Sequence, residues 1–324
     1  MPETNIREAL RLTLREALQQ DEHVILMGED IGAYGGSYGV TRGLLQEFGD
    51  ERVRDTPISE SAVVGCGIGA AMGGMRPIVE LMTINFSFLA FDQIINVASM
   101  VHYMSGGQIN VPLVIRMASG GGSQLAATHS HDLAGWYAHV PGLKVAVPST
   151  PYDARGLLKT ALREENTVIF VEHTAIYGLR GEVPDGDDYS VPFGQAQVMR
   201  EGGDVTIVGY SGSVHQALRA AEMLAEQGME AEVLNLRTLR PLDVDAVVSS
   251  VKKTTRAIVA EDDWCFGGFA GEIVALIQER AFDYLDAPVA RVCGADVPMP
   301  YAKELETAAL PSEQHIVDAA LAMR

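Results

Sequence analysis

Short apolar runs alternate along this chain with segments of helical length. VILMG (24–28), RPIVELM (76–82), VPLVIRM (111–117), LKVAVPS (143–149) and TVIFVEH (167–173) carry apolar residues on both sides rather than at every second position. Strands of that kind belong to a parallel sheet covered by helices on both faces, because only burial on both sides removes the need for a polar face. After Tyr177 the pattern stops. GLRGEVPDGDDYSVPFGQ is polar, rich in Gly and Pro and without period, and reads as a linker. A second alternation follows, with strands DVTIVGY (204–210), AEVLNLR (231–237), RAIVAED (256–262) and PVARVC (288–293), and helices near 213–228, 243–251, 269–282 and 313–323. The expected architecture is α/β throughout: a parallel-sheet domain over 1–180, a linker over 181–200 and a smaller α/β domain over 201–324. No internal repeat is visible.

Composition narrows the classes. A chain of 324 residues with 47% hydrophobic and 21% charged content supports two full cores. The formal charge of −19 argues against nucleic-acid binding, which needs clustered Lys and Arg, and suits a basic protein partner. Cys66, Cys265 and Cys293 are far apart in sequence and set in apolar contexts, as expected of reduced core thiols in a cytoplasmic protein. MPETNIREALRLTLREALQQ reads as an amphipathic helix with acids as well as bases, not as a targeting peptide. No apolar run approaches the roughly 18 residues that span a bilayer.

In open α/β sheets ligands gather beyond the carboxyl ends of the strands. There the first domain places GEDIGAYGGSYG (28–39), the segment after DTPISE (55–60), TINFS (83–87) and ASGGGSQLAATHSH (118–131). Glu60 stands out, because the helix it opens, SAVVGCGIGAAMGG, offers a carboxylate almost nothing to pair with. One account is local: Ser59 caps the helix, and Glu60 gains about 0.3–1 kcal/mol from the helix dipole. Gly65, Gly67 and Gly69 lack the register of a dinucleotide fingerprint. Gly65, Gly69 and Gly73 instead share one face, on which another backbone would approach closely. His129, His131 and Asp132 fall short of a complete metallohydrolase ligand set, and a hydrogen-bonding role for the histidine is favoured over a metal site. Neither a nucleophile elbow nor a phosphate-binding loop is present.

DTPISE (55–60), GIGAAMGGMRPIVELMT (67–83), NFSFLAFDQIIN (85–96), HYMSGG (102–107), HVPGLKV (139–145), PSTPYDARGLLKTAL (148–162) and DVPMPYAKELE (296–306) run collinearly through nearly the whole chain. They resemble the β subunits of the E1 component of 2-oxo acid dehydrogenase complexes, most closely those acting on pyruvate. The resemblance implies a thiamine diphosphate pyrimidine-binding domain followed by a transketolase C-terminal-like domain. It implies that Glu60 hydrogen-bonds N1′ of the aminopyrimidine, that Met82 and Phe86 pack against that ring, and that His129 serves near the substrate carboxylate and the incoming lipoyl group. His131 departs from the family's usual Gln. Glu29 and Asp92 match acids of a proposed proton channel, with surface or helix-capping roles equally open. A potassium ion held by main-chain carbonyls is implied at Leu113, Ala161, Leu162, Glu164 and Asn166, with a water-capped helix end as the alternative.

The diphosphate-gripping GDG motif and its downstream Asn are absent. The resemblance therefore implies an α subunit that binds the diphosphate through Mg²⁺, an α2β2 heterotetramer, and docking to the E2 acyltransferase. NLRTLRPLD (235–243) matches the C-terminal domain, with Asn235 in place of the usual Asp. The expected function is oxidative decarboxylation of pyruvate with acetyl transfer to lipoamide. Alternatives are an E1 β subunit for acetoin or branched-chain 2-oxo acids, a non-catalytic E2-docking scaffold and, more remotely, a metallohydrolase.

Overall fold

The computed structural model describes residues 3–184 and 189–324. Four residues of the expected linker, 185–188, and the first two of the N-terminal segment lie outside the described residues. The chain divides into two compact units, one of residues up to Ser119 with Trp136–Phe193, the other of Gly120–Gly135 with Gly194–Arg324.

In the first unit helix α1 (Ile6–Gln20) starts at Asn5, whose side chain accepts the Glu8 N–H at 2.9 Å, and buries Ile6, Leu10, Leu14 and Leu18. The three residues before it, expected as helix, pair antiparallel with Arg180–Glu182. Strand β1 (Val24–Gly28), β2 (Val53–Asp55), helix α2 (Glu60–Met72), β3 (Arg76–Leu81), β4 (Val114–Ser119), β5 (Lys144–Ala146), helix α3 (Pro151–Arg163) and β6 (Val168–His173) follow. The strands order as β5-β6-β4-β3-β1-β2, all parallel. One face carries Leu26, Ile78, Val114 and Phe170 into a core with α1 and α3. Helix α2 covers the other, where a Cβ on Gly67 would lie 2.7 Å from Val79 Cγ2.

The structure corrects two expectations about α2. Its packed glycine is Gly67. Gly69 and Gly73 face outward, and a Cβ on Gly69 would meet nothing within 4 Å, because the helical period turns Val63, Val64, Gly67, Ile68 and Ala71 inward instead. Cys66 is exposed on that outer face, and Cys265 and Cys293 are half-buried, so none is a fully buried core thiol.

The core also holds ions. Arg116 on β4 makes a bidentate pair with Glu172 on β6, 2.7 Å at each arm, and reaches Glu80 on β3 at 2.6 Å. Tyr177 Oη donates to Glu172 at 2.7 Å. Burial pushes the Glu80 carboxyl up, although Arg116 opposes the shift. Arg116 and Glu172 are 2% and 1% exposed, so removing one partner strands a charge away from water. Arg116→Met is expected to destabilise the protein by about 3–5 kcal/mol in denaturant titration.

The second unit contains β7 (Gln197–Arg200), β8 (Val205–Gly209), α4 (Ser213–Ala225), β9 (Ala231–Asn235), α5 (Val244–Thr254), β10 (Ala257–Trp264), α6 (Phe269–Ala281), β11 (Ala290–Gly294) and α7 (Glu313–Leu321). The order is β11-β10-β8-β9-β7, parallel except for β7. That antiparallel edge strand arises within the stretch expected as linker. It is half-exposed, and its short QVMR sequence carries no apolar run.

In the carboxyl-terminal half of β10 two acids are buried. Glu261 accepts from Ala270 N at 3.0 Å and Tyr210 Oη at 3.1 Å, and Asp263 from Trp264 N at 2.7 Å. Burial outweighs these bonds and raises both carboxyls to about 7. The folded state thus keeps protons that the unfolded chain releases near pH 4, so the stability these groups contribute is present at low pH and lost as pH rises through about 7. Melting temperature is expected to fall by roughly 2–4 °C more between pH 5 and 8 in the native protein than in Glu261→Gln/Asp263→Asn.

Candidate active site

Glu60 is the first residue of α2, directly after the loop that leaves β2. Ser59 occupies the cap position, but its side chain makes no capping bond. Its N–H is instead accepted by the Glu29 carboxylate at the end of β1. The Ser59 side-chain cap expected from the sequence is therefore absent, while Glu60 keeps its place in the first turn, at the positive end of the helix dipole. Glu60 is 5% exposed, and among the described residues its carboxylate has no hydrogen bond or ion pair. Burial, then the charge of Glu60, then that of Asp30 raise the Glu29 carboxyl above its ordinary range. Two neighbouring carboxylates, one buried without a donor, form a strong acceptor site for a ligand N–H.

Met82 leaves the end of β3 half-buried, lining a small cavity with Tyr38, Glu80, Arg116 and Tyr177. Phe86, also half-buried, lies in the 3₁₀ turn Ile84–Ala90, which Thr83 caps through Asn85 N at 3.2 Å. Asp92 is exposed at the start of a π-helical segment, Asp92–Ala98, and accepts from Asn96 Nδ2 at 2.9 Å. Of the two channel acids, the structure brings only Glu29 to Glu60.

The five positions matched to potassium gather around the end of α3 and the strands beside it. Arg76 Nη1 donates to the carbonyls of Leu162 at 3.0 Å and Glu164 at 3.3 Å. The Leu113 carbonyl accepts from Val168 N, and that of Ala161 from Glu164 N. Asn166 turns its side-chain oxygen to Val111 N at 3.4 Å. A protein cation and two amides therefore already occupy part of this carbonyl set, leaving second lone pairs for an ion.

His129 belongs to Gly120–Gly135, which is part of the second unit. It is exposed, and its Nδ1 meets Thr128 Oγ1 at 2.8 Å. The backbone of this loop is unusual: Gln124 and Ala126 have φ of 54° and 63°, and Gly120 and Gly122 of 88° and 94°. What holds it is Glu306, buried in the helix Lys303–Ala309. Its carboxylate accepts Gly122 N at 2.9 Å and Gln124 N at 3.0 and 3.1 Å. Glu306 stands 182 residues from Gln124, so no local pattern in DVPMPYAKELE points to this role. His131 packs against Trp264, ring centroids 5.3 Å apart, and burial lowers its pKa. Among the described residues no group of three His, Cys, Asp or Glu is placed to hold a metal ion.

Residues 3–178 match the family described as the transketolase pyrimidine binding domain, and 194–316 the transketolase C-terminal domain. The pyruvate dehydrogenase E1 component subunit beta of Rickettsia felis is 48% identical over 314 residues, 97% of this chain and 96% of that one. The mitochondrial protein of that name from Dictyostelium discoideum is 48% identical over 321 residues, 98% and 90% of the two chains. The chain belongs to the family of pyruvate dehydrogenase E1 β subunits. A solved structure titled a split gene transketolase, inactive beta4 tetramer, aligns with a TM-score of 0.80 at 24% identity, covering 98% of this chain and 97% of that one, which shows the fold. For this E1 β chain the family implies thiamine diphosphate as the cofactor.

A loop held by two charge-assisted bonds loosens when the charge is removed. In this E1 β chain Glu306→Gln is expected to speed amide exchange at Gly122 and Gln124 by about 10–100-fold in hydrogen-exchange measurements, with the strands unaffected.

Proposed function

We propose that this chain is the β subunit of a pyruvate dehydrogenase E1, working in the cytoplasm with an α subunit in an α2β2 assembly. The observation that carries the reading is the buried, donorless Glu60 carboxylate beside Glu29, in a chain 48% identical to pyruvate dehydrogenase E1 β subunits over almost its full length. The residues fit a pyrimidine: a carboxylate without a protein donor matches a ring N–H, and Met82 and Phe86 offer apolar surface. Thiamine diphosphate, when bound, supplies the nucleophilic carbon and the electron sink for 2-oxo acid decarboxylation.

This chain's own contributions follow from proton affinity and position. Glu60 would share one proton with ring atom N1′, donating to it as the carboxylic acid and accepting from it as the carboxylate once the ring carries the proton. Glu29, its carboxyl raised by burial and then by the charge of Glu60, stands beside it. Low exposure strengthens the bond and excludes competing water. His129, on the loop anchored by Glu306, meets the substrate carboxylate and the lipoyl group of E2. The α subunit holds the diphosphate through Mg²⁺. The carbonyls of Leu113, Ala161, Leu162, Glu164 and Asn166 would hold a potassium ion, with those of Leu162 and Glu164 also accepting from Arg76. The acidic surface suits a basic docking segment of E2.

Glu60→Gln, reconstituted with the α subunit, is expected to retain assembly and lose about 10²–10⁴-fold in pyruvate decarboxylation. Turnover near the native level in that variant would falsify the assignment. A panel of pyruvate, acetoin and branched 2-oxo acids on the native pair should show the highest kcat/KM for pyruvate; preference for another substrate would move the protein to a sister complex.

A further inference from the structure

The segment after β1 folds back over the first turns of α1. Gly35, Gly36 and Gly39 take φ of 86°, 81° and 75°, conformations open mainly to glycine. Thr41 Oγ1 donates to the Ile31 carbonyl at 2.6 Å, and Asp55 accepts Gly32 N at 2.6 Å, so the fold-back is pinned at both ends. Between this segment and α1 lies an open cleft of about 520 Å³, lined by Arg7, Arg11 and Arg42. Tyr34, Ser37 and Tyr38 contribute hydroxyl-bearing side chains to the same lining.

The charges there are not balanced. Arg11 pairs with Glu8. Arg42 has no hydrogen-bond or ion-pair partner among the described residues. Arg7 Nε is buried without an acceptor, and its guanidinium stands 5.8 Å from the Tyr177 ring centroid. A Cβ on Gly39 would lie 3.7 Å from both Arg42 Nη2 and Arg7 Cδ, so the two arms flank the same point. Glu80 lies behind Gly36 but is engaged by Arg116. Three guanidinium groups line the cleft against the single lining carboxylate of Glu8, and the Glu80–Arg116–Glu172 cluster behind Gly36 adds one further carboxylate, so positive charge stays in surplus in a chain whose formal charge is −19. Holding like charges together on a preformed concave surface is unfavourable unless an anion offsets them.

We propose that this cleft is a binding site for a small phosphate-bearing dianion, separate from the Glu60 site. A phosphate monoester carries about two negative charges at neutral pH and three acceptor oxygens. It matches the charge surplus, the planar forks of Arg7 and Arg42, and the hydroxyl donors beside them. The cleft volume falls within the ordinary range for small-ligand sites, which admits inorganic phosphate or a compact phosphate ester.

Isothermal titration of inorganic phosphate into the full-length chain tests this, alone and assembled with its α subunit under saturating thiamine diphosphate and Mg²⁺. One phosphate per chain is expected in both forms, with heat unchanged by sodium chloride at matched ionic strength. Arg42→Gln should weaken binding by about tenfold or more while leaving the melting curve in place, since Arg42 supports no other contact. Equal binding by native protein and Arg42→Gln overturns the proposal, as does binding that matched sodium chloride abolishes. Loss of the site on assembly with α overturns it too, by showing the cleft to be a subunit contact.

Discussion

Arg116 is the constraint around which the first unit is organised. A guanidinium at 2% exposure is tolerable only where carboxylates meet it on fixed geometry, and here three neighbouring strands supply them or carry it. Glu80, Arg116 and Glu172 hold β3, β4 and β6 in one register near their carboxyl ends, from which the loops leave. The network continues outward: Tyr177 donates to Glu172, its ring lies 5.4 Å from that of Tyr38, and Arg7 stands over it. A chain of ionic, hydrogen-bond and ring contacts thus runs from the middle of the sheet to the arginine cleft on the surface.

Glu60 is the counterexample that gives the site its chemistry. Arg116, Glu80 and Glu172 satisfy one another; Glu60 is nearly as buried and is satisfied by nothing among the described residues. This acceptor stands open next to a second acid, Glu29. A carboxylate in that position is free to accept from an incoming donor.

The second unit solves a different problem. Its loop 120–135 takes conformations that non-glycine residues adopt reluctantly, and Glu306 compensates by accepting its amides. Binding this loop to the C-terminal unit rather than to the unit that precedes it in sequence places His129 under the control of a helix far along the chain.

Most of the secondary structure was legible, because strands buried on both faces announce themselves as unbroken apolar runs. VILMG forms β1 over the same five residues, and all eight second-domain elements expected from the sequence agree within about three residues at either end. VPLVIRM is displaced to Val114–Ser119, since Val111 and Leu113 lie outside the ladder, and QVMR, with only two apolar residues between polar ends, gave no signal. Sequence alone determined the alternation, the two-domain order, the family resemblance and Glu60 as an acid without a visible partner, all properties of local composition and spacing. Only the tertiary structure decided that Glu29 faces Glu60, that Gly67 is the packed glycine, that Glu306 holds the His129 loop and that Arg7 and Arg42 converge. Each of these depends on residues brought together by parallel strand order and loop closure, which no local pattern encodes.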